Sequence, residues 1–213
     1  MSGRCRLYLV TPNRFDTETF TAELRKALAG GDVASLQLRM KEAGEEELRT
    51  AARALMPVCD AAKVAFIIND RPELAAELGA EGVHLGPDDM DIAAARKIVG
   101  FDAVIGYSAK NSTHAAFTAG DAGADYVAFG AFYASPTKET DIRADLELLE
   151  GWAKIIEIPS VAIGGITLSN AEPIVRAGAD FIAVSSAVWT HPDGPEAAVR
   201  AFNELFDRLA EKP

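Results

Sequence analysis

Cysteine is nearly missing from this sequence: Cys5 and Cys59 are the only two, far apart, with no C-x-x-C and no histidine at metal-ligand spacing. Neither a disulfide framework nor a zinc site is implied, and a reducing compartment fits. Positive charge is also short, with 21 Lys and Arg against 32 Asp and Glu and a formal charge of -11. Such a field repels nucleic acid and anionic membrane surfaces, so neither is expected as a partner. Any phosphate-bearing ligand must then be met by a local group of cations or backbone N–H donors. Long apolar runs are lacking as well. The run Leu7–Val10 meets Pro12 and Asn13 too soon for a signal segment or a spanning helix, and a cytoplasmic location is expected. There is no linker or low-complexity stretch, so residues 1–213 read as one globular domain.

What is present is alternation. Short β-branched or aromatic runs predict strands at Arg6–Thr11, Ser35–Arg39, Ala65–Asn69, Gly82–Leu85, Val104–Ser108, Tyr126–Phe129, Ser160–Ile163 and Phe181–Val184. Between them lie segments with apolar residues three and four apart, such as Leu48, Ala51, Ala52, Leu55 and Cys59, and Val199, Phe202, Leu205 and Phe206. Pro57 is expected to kink or shorten the first of these helices. A weak repeat, LGAEGVHLG, AGADYVAFG and AGADFIAVS, marks three helix ends, each with a glycine suited to a left-handed cap: Gly79, Gly123 and Gly178. Gly30 begins the same series. Each interval holds two βα units, so the fold class is α/β, a (β/α)8 TIM barrel, in preference to a doubly wound sheet.

In such a barrel the residues just past the strand C-termini meet substrate. Alternation on the second strand sets Gln37, Arg39 and Lys41 on one side, a planar fork and a mobile ammonium suited to phosphate or diphosphate oxygens. Pairing with the acidic residues of Glu42–Glu47 is the plain alternative. Asp70 and Asp89 follow the third and fourth strands and suggest magnesium, which takes one or two carboxylates and completes its shell with phosphate and water. Helix capping by Asp70, Asp88 or Asp89 would explain the same residues. Gly164 and Gly165 after strand seven, with Ser185 and Ser186 after strand eight, occupy the usual phosphate-binding place, or else mark a tight turn. His84, His114 and His191 have no evident serine, cysteine or metal partner and read as structural. A nucleophilic triad has no support.

Several motifs in order, LYLVT (Leu7–Thr11), QLRMK (Gln37–Lys41), IINDR (Ile67–Arg71), GVHLG (Gly82–Gly86), GADYVAFG (Gly123–Gly130), the S-x-T-K ending at Lys138 and AIGGIT (Ala162–Thr167), resemble those of the thiamine phosphate synthases. The resemblance spans nearly the whole chain. It implies an enzyme, a transferase, that joins a pyrimidine diphosphate to a thiazole phosphate with magnesium and releases pyrophosphate. By position it implies that Arg39, Lys41, Asn69 and Lys138 hold the diphosphate and that Asp70 and Asp89 ligate Mg2+. Gln37 and Ser108 would meet the pyrimidine or its leaving group, and Ser135, Thr137, Gly165, Ser185 and Ser186 the thiazole phosphate. Lys138, Ser108, Arg39 and Lys41 would carry the catalysis. The small-molecule substrates are the expected partners, and a homo-oligomer is compatible with the sequence. Pro87, Lys110, Ser135 and Ser185 depart from the family's usual residues. A thiazole tautomerase of the same superfamily and a non-catalytic thiamine phosphate-binding paralogue are the rival readings; a tautomerase would leave the cations and aspartates without a task.

Overall fold

The computed structural model describes residues 3–134 and 142–210. Eight strands, β1 (Arg6–Val10), β2 (Val33–Leu38), β3 (Ala65–Asn69), β4 (Gly82–Leu85), β5 (Val104–Lys110), β6 (Tyr126–Phe129), β7 (Ser160–Ile163) and β8 (Phe181–Val184), pair in chain order and close on themselves. Every pairing is parallel, β8 to β1 included. The fold is a (β/α)8 TIM barrel.

Helices α1 (Thr17–Ala29), α2 (Glu45–Ala62), α3 (Pro72–Leu78), α4 (Ile92–Val99), α5 (Thr113–Asp121), α6 (Leu146–Ile155) and α7 (Ala171–Arg176) lie between successive strands, and α8 (Ser186–Trp189) and α9 (Gly194–Ala210) follow β8. Side chains at the starts of four helices satisfy orphan N–H groups: Asp16, Asp91, Ser112 and Asp145 each accept from the first turn. Helix α2 runs through Pro57 to Ala62. The proline forfeits one bond to the carbonyl four residues back, and buried Leu55, Val58 and Cys59 on either side of it hold the helix against the sheet.

Strand alternation divides the core in two. Outward residues such as Leu7, Leu9, Leu36, Leu38, Phe66 and Ile68 are buried under the helices, each contributing about 1.5–3 kcal/mol. Inward residues form a smaller cluster of Tyr8, Val10, Tyr126, Ala128, Val161 and Ala183 inside the barrel. Buried among the inward positions are the polar side chains of Gln37 and His84. A polar barrel interior is costly unless hydrogen-bonded, and both ring nitrogens of His84 have a partner.

Gly79, Gly123 and Gly178 take φ of 68°, 97° and 95°, as the repeat implies. Gly30 does not: its φ is -75°. It is needed for space, since a Cβ there would stand 2.3 Å from the Glu196 carbonyl oxygen where α9 crosses the end of α1. Gly30→Ala is therefore expected to lower stability by about 1–3 kcal/mol through overpacking. Gly79→Ala, in open space but left-handed, should cost about 1 kcal/mol. Urea unfolding of the two variants checks the order.

Candidate functional site

A cavity of about 500 Å³ opens at the C-terminal ends of the strands. Its lining includes Gln37, Arg39, Lys41, Asn69, Asp70, Asp89, Ser108, Gly165, Ser185 and Ser186, which brings together every site residue read from the sequence except three. Those three, Ser135, Thr137 and Lys138, lie outside the described residues.

The cationic wall is built by the continuation of β2. Leu36, Leu38 and Met40 are buried on the helix side, so Gln37, Arg39 and Lys41 face inward. Two bonds hold the chain on course past the strand end: Arg39 N–H donates to Thr11 Oγ1 and Lys41 N–H to Asn13 Oδ1, both at 2.9 Å. Pairing with the neighbouring acidic run does not occur among the described residues. Glu42 pairs with Arg14, while Glu45 and Glu46 pair with Arg49. Lys41 instead approaches Asp70 at 3.6 Å. Burial holds the Arg39 guanidinium below its ordinary pKa, the nearby Asp70 charge opposing this.

Asp70 sits just past β3 with φ of 62°, a left-handed conformation that Asp tolerates better than most residues. Its N–H donates to the His84 carbonyl at 2.9 Å, which ties the β3 exit to β4. Asp89 is held by a turn in which the Gly86 N–H donates to its Oδ2 at 2.7 Å. The two carboxyl groups come within hydrogen-bonding reach of each other. Burial first, then the Asp89 hydrogen bond and charge, raise the Asp70 pKa, and Lys41 only partly opposes them. Capping does not account for either residue: α3 has Arg71 at its N-cap with no side-chain bond, and α4 is capped by Asp91. Two adjoining hard-oxygen ligands next to two cations form a donor set suited to a divalent cation bridged to an anionic ligand.

On the opposite arc of the closed barrel, Gly165 has φ of 65° and Gly164 of 103°. Side chains there would collide with the segment after β6: a Cβ on Gly165 would lie 2.4 Å from the Ala134 carbonyl oxygen, and one on Gly164 2.4 Å from the Ala131 Cβ. The glycines thus serve tight packing and also leave this part of the cavity wall as bare backbone. Ser185 precedes the short helix α8 without a side-chain capping bond, and Ser186 begins it.

The structure corrects the reading of His84. Its Nε2 lies 2.8 Å from Ser108 Oγ and its Nδ1 2.9 Å from the Tyr126 hydroxyl. Burial lowers its pKa to about 4, so the ring is neutral at neutral pH. One signal for this was available in the sequence: alternation turns His84, Ser108 and Tyr126 inward on three successive strands. Lys110, at φ 56° after a register shift in β5, also lines the cavity.

Comparison with known proteins places this geometry. The family model described as thiamine monophosphate synthase matches residues 7–188. The thiamine-phosphate synthase of Hyphomonas neptunium is 56% identical over 97% of this chain and 96% of its own. That of Rhodospirillum centenum is 51% identical over 95% of this chain and 98% of its own. Among solved structures, the thiamine phosphate pyrophosphorylase from Pyrococcus furiosus superposes with a TM-score of 0.85 at 33% identity, covering 97% of each chain.

Proposed function

The chain belongs to the thiamine monophosphate synthase family, and we propose that it acts as a transferase, joining hydroxymethylpyrimidine diphosphate to hydroxyethylthiazole phosphate with release of pyrophosphate. The observation that carries this reading is the arrangement around one cavity: two cations and two carboxylates on the β2–β4 arc, facing the glycine backbone and serines of the β7–β8 arc. A diphosphate needs the first group and a monophosphate the second.

In this reading Arg39, Lys41 and Asn69 bind the diphosphate, with Lys138 joining them, while Gln37 and Ser108 hold the pyrimidine and the bond to be broken. Gly165, Ser185 and Ser186, with Ser135 and Thr137, receive the thiazole phosphate. Asp70 and Asp89 would hold Mg2+, whose contribution when bound is to neutralise charge on the diphosphate oxygens. The C–O bond to the diphosphate breaks with both electrons leaving on oxygen, and the pyrimidine methylene cation is stabilised by its amino group. The thiazole nitrogen lone pair then forms the new C–N bond. No protein nucleophile takes part, in keeping with the residues present. Arg39 and Lys41 stabilise the developing negative charge, and the two arcs hold the rings in line.

The test is a coupling assay on the purified protein with both substrates and magnesium, following thiamine phosphate and pyrophosphate together. Equal release of the two is expected. Thiamine phosphate binding without turnover would select the non-catalytic paralogue, and isomerisation of the thiazole alone would select the tautomerase.

A further inference from the structure

A buried hydrogen-bond chain runs through the barrel interior from Tyr8, beside Gln37, to Ser108, the two residues assigned to the pyrimidine end being Gln37 and Ser108. The Gln37 side chain adjoins the Tyr8 hydroxyl and favours its ionised form. The Tyr8 and Tyr126 hydroxyls are 2.9 Å apart, Tyr126 is 2.9 Å from His84 Nδ1, and His84 Nε2 is 2.8 Å from Ser108 Oγ. Gln37, Tyr8, Tyr126 and His84 are all buried. The fold gives up a side chain for this. Gly106 pairs with His84 on one side and Tyr126 on the other, and a Cβ there would lie 2.0 Å from Tyr126 Cζ and 2.3 Å from its hydroxyl oxygen.

The proton count allows two arrangements. Tyr8, Tyr126 and a neutral His84 each carry one hydrogen for donation and stand between two partners, so fixing one link fixes all four. If the Gln37 amide donates to Tyr8, then Tyr8 donates to Tyr126, Tyr126 to His84 Nδ1, and His84 Nε2–H to Ser108. The cavity then meets a free Gln37 carbonyl oxygen, a second amide N–H and a free Ser108 O–H. In the reverse order Ser108 donates inward and Gln37 accepts from Tyr8, which leaves an amide NH2 and a serine lone pair facing the cavity.

We propose that the chain runs from Gln37 to Ser108, with the His84 proton on Nε2, so that Tyr8, Tyr126 and His84 are positioning residues that set which end of the site accepts and which donates. This deepens the coupling reading and rests on it. An aminopyrimidine presents an exocyclic N–H2 that requires an acceptor, and a diphosphate oxygen can only accept. The Gln37-to-Ser108 order supplies both, with the second amide N–H left for a ring nitrogen. The reverse order sets donor against donor at Gln37 and lone pair against anion at Ser108.

The primary experiment is long-range 1H–15N correlation at pH 7 on substrate-free, 15N-histidine-labelled protein, which separates the tautomers of its three histidines without reference to activity. An Nε2–H signal for His84, identified by its loss in His84→Gln, is expected. An Nδ1–H or doubly protonated ring overturns the proposal while leaving the coupling reading standing. In turnover, Tyr126→Phe removes the donor to Nδ1 and should lower kcat about tenfold, the effect of one lost oriented hydrogen bond, with KM for the thiazole phosphate unchanged. In a Ser108→Ala background the same change should lower kcat by clearly less than about tenfold, because the chain then orients only its Gln37 end. Losses that multiply, or an equal rise in both KM values, refute it.

Discussion

Asp70→Asn is expected to reduce coupling by about 10²-fold or more while raising the thermal stability of the metal-free protein. The opposite signs come from one cause. Burial and the Asp89 carboxyl raise the Asp70 pKa, so the folded protein binds this proton more tightly than the unfolded chain does. Its destabilising effect is absent below the unfolded pKa and grows as pH rises through the folded pKa. Asn removes the charge, keeps the shape, and tolerates the left-handed backbone at φ 62°. Melting curves should therefore separate wild type from variant at pH 7 and converge as pH falls below the ordinary aspartate range. Magnesium should reverse the order, stabilising wild type and leaving the variant almost unmoved. A variant with wild-type turnover across all magnesium concentrations would remove Asp70 from the metal site.

The barrel was legible because its signals are local. Five of the eight strands begin and end where β-branched runs and glycine punctuation place them; β1 and β5 differ by one or two residues at one end, and β2 differs at both. The extension of β5 to Lys110 follows a bulge between Ser108 and Lys110 with a positive φ at a lysine, which no composition rule signals. Gly30 looked like the other repeat glycines, yet its reason is contact with α9, some 165 residues away along the chain. The cavity lining was legible for a related reason: position past a strand end is a one-dimensional property, and parallel closure converts it into proximity. Pair interactions across strands were not. Neither the Asp70 and Asp89 contact nor the His84 link to Ser108 and Tyr126 can be read without knowing the register that brings them level. Gly106 held part of that information, as a glycine within a strand marks the close approach of something else, here the Tyr126 ring.

Arg39→Met is expected to lower kcat/KM for the pyrimidine diphosphate by about 10²-fold or more, with the unliganded protein as stable as wild type or more so. Among the described residues no group hydrogen-bonds the Arg39 guanidinium, although burial already depresses its pKa and Asp70 is its main source of attraction. A half-buried cation in that state costs the empty fold solvation energy that an anion in the cavity would return. Methionine fills similar space without the charge, so the free protein loses nothing and the liganded one loses its grip. Pyrophosphate with magnesium should raise the melting temperature of wild type and not of the variant. Arg39→Lys separates charge from shape: an ammonium keeps the charge but not the two-pronged donor geometry, and it should recover only part of the loss. Full recovery by lysine would show that charge alone matters here, and a marked fall in stability for Arg39→Met would show that the guanidinium supports the fold.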